Sequence, residues 1–210
     1  WIKYYRPNEN SQNTSVSYYG KGSVLGGLLN VEILQSTQGE KSMDDVLRLL
    51  YQQYYLDLKR GYTDQEFQDA CEKIAGRSFN EFFKKYVWGT EVPDYAKTYG
   101  YAGIDVTNES YGDIYLGLTG NGTTVSKVYE NGSAYAAGIN AGDVILSVNG
   151  KKISALTEIA TNQNVGDELK VIVLRAGVEK EYTVKLSKDN RIRRRLGKMK
   201  SQTAQQEKIY

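Results

Sequence analysis

Histidine is absent from all 210 residues. That absence excludes Ser-His and Cys-His catalysis, a histidine general base and histidine-ligated zinc within this chain. Cysteine occurs once, at Cys71, so no intrachain disulfide can form and cysteine usage sets no redox compartment. The surrounding Asp69-Ala70-Cys71-Glu72 lies in a helical pattern, where a lone thiol behaves as a small buried hydrophobe rather than a nucleophile. Apolar runs approaching the ~18 residues of a membrane span are missing as well. The opening Trp1-Ile2-Lys3-Tyr4-Tyr5-Arg6-Pro7 lacks the apolar stretch of a signal peptide and an initiating Met. The expectation is a piece processed or excised from a longer protein, its compartment undetermined.

What is present is ordinary for globular domains: 40% hydrophobic and 25% charged residues. The formal net charge of +2 is unevenly placed. Residues 1–100 carry 12 basic and 13 acidic side chains, residues 101–188 carry 8 and 10, and residues 189–210 carry 7 and 2. The excess therefore sits in the tail, around Arg191-Ile192-Arg193-Arg194-Arg195 and Lys198-Met199-Lys200. No nucleic-acid motif or aromatic stacking platform accompanies it, so a solvated tail, or one folded back on an acidic surface, is expected and nucleic acid is not.

Residues 1–100 read as an all-α unit. Val24, Leu25, Leu28, Leu29, Val31 and Ile33 recur at helical steps within residues 18–37. Ser42–Asp45, Thr63–Glu66 and Ser78–Glu81 each have the form of a capping box ahead of an apolar stripe. Lys59-Arg60-Gly61, Gly76 and Gly89 supply the stops. Residues 90–101, with Pro93, read as a linker. From residue 101 the period shortens to that of strands, predicted at 114–118, 124–128, 144–148, 168–175 and 179–186, with a short helix over 156–160. The fold class is therefore multi-domain α plus β. It comprises a helical domain over 1–100, a small capped β-barrel over 101–188 and a basic tail over 189–210.

The stretch Asn131–Gly150, NGSAYAAGINAGDVILSVNG, runs from a small-residue helical turn through Ala-Gly-Asp and a buried strand to an Asn-Gly turn. It resembles the most recognisable segment of a PDZ domain. Upstream, Tyr115-Leu116-Gly117-Leu118 resembles that family's carboxylate-binding loop, where glycine lets the backbone approach a ligand without a Cβ. The resemblance implies that a peptide's C-terminus adds as a strand there, with Leu156 and Ile159 forming the far, apolar wall of the groove. By the residues alone, Tyr115–Leu118 also reads as an inward strand whose groove a neighbouring segment fills. The opening order of strands looks like the permuted bacterial form of the domain, in which peptide binding serves substrate positioning or domain docking.

A second resemblance covers nearly the whole chain. Tyr19-Gly20-Lys21-Gly22 looks like the Tyr-x-Lys-Gly signature of thermolysin-like zinc aminopeptidases. With Trp1–Pro7, the Phe79–Tyr86 helix and Gly89-Thr90-Glu91, it resembles the C-terminal part of the catalytic domain in the glycyl aminopeptidase family, whose members carry a PDZ domain after it. The resemblance implies that Tyr19 hydrogen-bonds the tetrahedral intermediate on the scissile carbonyl; no role passes to Lys21 or Gly22. The family's H-E-x-x-H helix and distant glutamate have no counterpart here, and zinc needs three protein ligands. The expectation is thus a C-terminal portion of a zinc-dependent aminopeptidase that is not catalytically competent by itself. Zinc and the upstream catalytic half belong to the intact parent, in a bacterial periplasmic or surface-exposed setting. The alternative is a non-catalytic PDZ peptide-binding or scaffold protein on a helical platform.

Overall fold

The computed structural model describes residues 2–15, 17–110 and 114–210. It divides into two compact units: Tyr18–Asn108 with Arg194–Tyr210, and Trp1–Ser17 with Glu109–Arg193. These units depart from the divisions read at 100/101 and 188/189. Both chain ends are exchanged between them.

In the first unit, side-chain caps start the helices where the sequence places them. Ser42 Oγ accepts from the N–H of Asp44 at 3.2 Å while Asp45 Oδ2 accepts from the N–H of Ser42 at 2.9 Å, opening Met43–Leu50. The reciprocal pair Thr63 and Glu66, at 3.2 and 2.8 Å, opens Asp64–Ala75, which stops on Gly76 at φ +70°. The third expected box forms only by half: Ser78 Oγ accepts from the N–H of Asn80 at 3.1 Å. Glu72, from the preceding helix, accepts from the N–H of Phe79 at 2.8 Å, and Glu81 turns to Lys85 at 3.3 Å. Two stretches, Tyr51–Asp57 and Phe83–Val87, widen into π-helix. Residues 90–101 are not all linker either: Asp94 caps the helix Tyr95–Gly100 through the N–H of Lys97 at 3.0 Å.

The apolar stripes converge as expected. Leu29, Ile33, Val46, Leu50, Cys71 and Phe83 are buried in one cluster. Burial pushes the Cys71 thiol up to about 12, which keeps it protonated and unreactive. The unit is not all helix, however. Strand β1, Ile104–Ser110, pairs in a two-stranded sheet with β8, Ile192–Lys198. Beyond it Thr203 caps the helix Ala204–Ile209, whose Ile209 is buried with Val31 and Ala102. The basic tail is therefore folded, and it meets both carboxylates and rings: Lys208 pairs with Glu40. Arg194 lies 4.6 Å from the Tyr95 ring and Lys198 lies 4.7 Å from that of Tyr210.

The second unit holds β2 (Leu118–Asn121), β3 (Thr124–Val128), β4 (Val144–Val148), β5 (Lys151–Lys152), β6 (Glu168–Arg175) and β7 (Val178–Lys185). They form one sheet in the order β2-β3-β4-β6-β7, with β5 on β4. Among the described residues its edges β2 and β7 do not meet, so the sheet is open and the expected barrel is absent. The alternating residues Ile104 and Val106 lie in β1, which pairs with β8 in a separate sheet. Both hairpin turns follow the sequence: Asn149-Gly150 (φ +49° and +78°) joins β4 to β5, and Ala176-Gly177 (φ +50° and +80°) joins β6 to β7. Val125, Ile145, Leu169, Val171, Val173 and Val184 fill the core between the sheet and the short helix Ser133–Ala137.

Candidate functional site

The loop ahead of β2 is pinned by its carbonyl groups. Those of Tyr115, Leu116 and Gly117 accept, in turn, from the N–H groups of Ser133 at 3.1 Å, Ala134 at 3.0 Å and Tyr129 at 2.8 Å. All three bonds run to the segment 129–134. The N–H groups of Leu116 and Gly117 donate to no acceptor among the described residues. Gly117 has φ +70°, and a Cβ there would sit 2.5 Å from the Cα of Gly132. Two glycines thus meet backbone to backbone, which no other residue pair permits.

The next residue begins an open edge. Leu118 pairs with Val128, and the bond from Tyr129 N–H to Gly117 O makes this a non-hydrogen-bonded pair. In such a pair, the N–H and C=O of Leu118 point away from β3. Since β2 is the sheet's edge, these groups are offered to an added strand. The predicted strand at 114–118 is displaced accordingly: β2 starts at Leu118, and Tyr115–Gly117 is loop.

The far wall differs from the expectation. A single 3₁₀ turn, Leu156–Glu158, stands where a short helix over 156–160 was predicted. Leu156 and Ile159 are buried in the core at 9% and 2% exposure, so they support the wall from beneath. Leu156 leans on β2 where a Cβ on Gly120 would meet its Cδ1 at 2.8 Å. The structure brings Leu116 and Leu118 partly buried against the same core. Tyr115 stands apart at the loop entrance, its ring 3.7 Å beneath the Arg191 guanidinium.

The Asn131–Gly150 stretch holds this loop through one buried ion pair. Asp143, fully buried, accepts from Arg175 Nε at 2.6 Å and Nη2 at 2.7 Å and from the Asn140 N–H at 2.8 Å. Burial alone would raise its pKa, but the Arg175 and Asn140 bonds together hold it below the ordinary carboxylate value. Arg175 also donates to Gly138 O at 2.7 Å and lies 5.0 Å from the Tyr182 ring. The helix that presents the Ser133 and Ala134 N–H groups is thereby tied to β6 and β7.

Tyr19 lies elsewhere. It occupies the first turn of Tyr18–Ser36, 59% exposed, with its ring centroid 4.3 Å from that of Tyr18. Lys21 Nζ donates to Gly89 O at 3.3 Å, which joins the Tyr19–Gly22 stretch to Gly89-Thr90-Glu91. An apolar groove of about 360 Å³ runs alongside, between Gly22, Gly26, Phe67, Phe82 and Trp88. Among the described residues no three His, Cys, Asp or Glu side chains stand close enough to hold a metal ion. The described residues do not fit zinc. No helix among the described residues is long and apolar enough to cross a membrane.

Two contributions escape sequence reasoning. Gln12 Nε2 and Asn13 Nδ2 donate to Val128 O at 3.1 and 2.8 Å, and Asn13 Oδ1 accepts from the Glu130 N–H at 3.0 Å. The density of Asn and Ser in residues 8–15 signals turns, but nothing in it names a partner more than a hundred residues away. Arg191 is the other: a charge run gives no hint that one of its members stacks on Tyr115.

Comparison with known proteins agrees with this geometry. Residues 100–186 match the PDZ domain family, and this part of the chain is a PDZ domain. A probable periplasmic serine endoprotease, DegP-like, from Rickettsia prowazekii is 39% identical over 79 residues, 36% of this chain and 15% of that protein. A serine protease Do-like HtrA from Lactobacillus helveticus is 44% identical over 69 residues, 31% of this chain and 17% of that protein. The chain thus spans about a sixth of the curated relatives it matches, and their names say serine protease where the sequence resemblance points to a zinc peptidase. The structure of an aminopeptidase N family protein from Idiomarina loihiensis superposes on 99% of this chain and 38% of that one, with a TM-score of 0.85 at 19% identity. At that identity, the shared property is the fold.

Proposed function

We propose that the PDZ domain binds the free C-terminus of a peptide, which adds as a strand along β2. The ligand's carboxylate accepts from the N–H groups of Leu116 and Gly117, and its backbone pairs with the outward N–H and C=O of Leu118. Leu116 and Leu118 meet the ligand's apolar side chain, with Leu156 and Ile159 backing them. Tyr115 forms the entrance. The observation that carries this reading is the one-sided loop: three successive carbonyls bound inward, with two N–H groups left for a ligand. Titration calorimetry with matched peptides tests it. Amidating the C-terminus is expected to weaken binding about 10- to 100-fold, the worth of one charge-assisted hydrogen bond or slightly more. Equal affinity for free and amidated peptides overturns it.

A second reading is favoured by the shared fold over the whole chain and by the bond between Lys21 and Gly89. In it, the helical unit is the C-terminal part of a zinc-dependent, glycyl aminopeptidase-like catalytic region, and the PDZ domain positions substrate or docks. Tyr19 donates a hydrogen bond to the developing oxyanion; the metal ligands lie in a catalytic half this chain does not contain. A periplasmic or surface-exposed bacterial setting accords with the name of one sequence relative. In an enzyme that joins this chain to such a half, Tyr19→Phe is expected to lower kcat about 10²- to 10³-fold with metal content unchanged. Full activity in that variant removes Tyr19 from the mechanism.

A further inference from the structure

The loop at Tyr115–Gly117 takes all three of its donors from one segment, 129–134. A side chain more than a hundred positions earlier holds that segment. Leu118 and Val128 form a non-hydrogen-bonded pair, so the N–H and C=O of Val128 point away from β2. On that side β4 pairs with β3 at Thr124, the strand's first residue, and not at Val128. Asn13 fills the gap. Its Nδ2 donates to Val128 O at 2.8 Å, and its Oδ1 accepts from the Glu130 N–H at 3.0 Å. A primary amide carries a donor beside an acceptor, as a peptide group does, and here it takes the place of a missing strand. Gln12 Nε2 adds a second bond to Val128 O at 3.1 Å.

These bonds bracket Tyr129. Its N–H faces the other way and donates to Gly117 O at 2.8 Å, while its C=O accepts from the Gly132 N–H at 2.9 Å. The C=O and N–H of a trans peptide unit point in opposite directions, so the bond to Gly117 O aims the Leu118 N–H outward. From Gly132 the chain enters the helix whose Ser133 and Ala134 N–H groups hold the Tyr115 and Leu116 carbonyls. By the same rule, those bonds aim the N–H groups of Leu116 and Gly117. Asn13 thus grips the start of the segment that orients all three ligand-facing N–H groups.

The grip is preformed, yet it is light. Residues 8–15 bond among themselves: the Asn8 N–H donates to Ser11 Oγ at 2.7 Å and the Asn13 N–H to Asn10 O at 3.0 Å. Asn13 Nδ2 also donates to Asn10 Oδ1 at 2.8 Å, which fixes the orientation of its amide. The turn Ser11–Thr14 nevertheless buries no residue, so its attachment rests on hydrogen bonds rather than on apolar burial. Each such bond has a small net worth, and segments held this way open at the low end of the stability range.

We propose that Asn13 is a positioning residue of the peptide site: its seating on β3 and the binding of a peptide C-terminus on β2 strengthen each other. The inference rests on the strand-addition reading. With Tyr129 unclipped, the Gly117–Leu118 peptide unit is free to turn, and a ligand must order it on binding. A bound ligand that holds Leu118 holds Tyr129 and the clip in return. The test titrates the whole chain and Asn13→Ala with free-carboxylate peptides ending in Val, Leu or Phe, and follows hydrogen exchange at the Glu130 N–H. Asn13→Ala is expected to bind about fivefold more weakly, on the scale of one ordinary hydrogen bond. By reciprocity, the peptide is expected to slow Glu130 exchange in the unaltered chain by the same factor. A merely structural bond gives no such response, because its local opening is indifferent to the ligand. The exchange measurement needs no variant, so it decides the matter even where Asn13→Ala does not fold. Equal affinity of the two folded proteins overturns this inference alone, and so does a Glu130 rate that the peptide leaves unchanged. Binding of none of the peptides by the unaltered chain overturns the strand-addition reading and the clip's role with it.

Discussion

Replacing Arg175 by methionine is expected to destabilise the PDZ domain by about 3–5 kcal/mol, the usual cost of leaving one member of a buried pair without its partner. Asp143 has no exposed surface to which it could turn, and its remaining donor is the single N–H of Asn140. Methionine keeps most of the arginine stem's volume, so the loss reports the missing guanidinium rather than a cavity. Replacing both residues, Asp143→Leu with Arg175→Met, is expected to recover much of the stability, since no buried charge is then left alone. Amide exchange at Val171 and Val173 in β6 reads this domain's own opening without interference from the helical unit.

The same pair sets a pH dependence with a definite sign. The folded pKa of Asp143 lies below its unfolded value, so the stabilisation is present above the unfolded carboxylate pKa of about 3.9 and is lost as pH falls through the folded one. In Arg175→Met, burial without the guanidinium pushes that pKa upward, and the sign inverts: acid then relieves the variant. The stability gap between the two proteins is therefore expected to narrow between pH 7 and pH 3. A constant gap over that range places the effect of the substitution elsewhere.

Gly117→Val is expected to abolish peptide binding and to destabilise the domain as well. A side chain at φ +70° costs about 1–2 kcal/mol in the left-handed region. The Cβ would also stand 2.5 Å from a backbone atom of Gly132, which cannot swing aside as a flexible side chain would, and such overpacking adds about 1–3 kcal/mol. Moving the loop to relieve the contact shifts the N–H groups of Leu116 and Gly117, so binding fails even where the fold survives. Calorimetry with a free-carboxylate peptide beside a urea melt separates the two effects. A variant that melts early and still binds at native conditions removes the loop from the site.

Much of this was legible because it depends on neighbours in sequence. The boxes at Ser42 and Thr63 form where they read, since a side chain three residues away satisfies the free N–H groups locally. Strands β3, β4 and β6 have the predicted bounds, because their alternation or apolar runs meet a sheet core. The box at Ser78 forms only by half: Ser78 Oγ accepts from the N–H of Asn80 at 3.1 Å, while Glu81 turns away to Lys85. Leu156 and Ile159 were placed on the groove's far wall by the family resemblance, with their apolar character as support. That character does not distinguish a groove wall from the core behind it, and the structure shows both buried. Tyr115–Leu118 was found from its pattern, but the separation into a pinned loop and a strand beginning at Leu118 required the partners at residues 129–134.

By itself the sequence determined that this chain cannot ligate zinc through histidine, that its first half is mainly helical, and that residues 131–150 specify a PDZ domain, because composition and local turn chemistry decide those matters. The tertiary structure decided where each end of the chain belongs. Thr203 caps a last helix that buries Ile209, and Asn13 clips onto the end of β3, through contacts between residues far apart in the chain. It also decided the polarity of the loop at Tyr115–Gly117. Which way three carbonyl groups turn is a question of where their donors stand: one donor is Tyr129, just after β3, and two come from a helix held by an ion pair between Asp143 and Arg175.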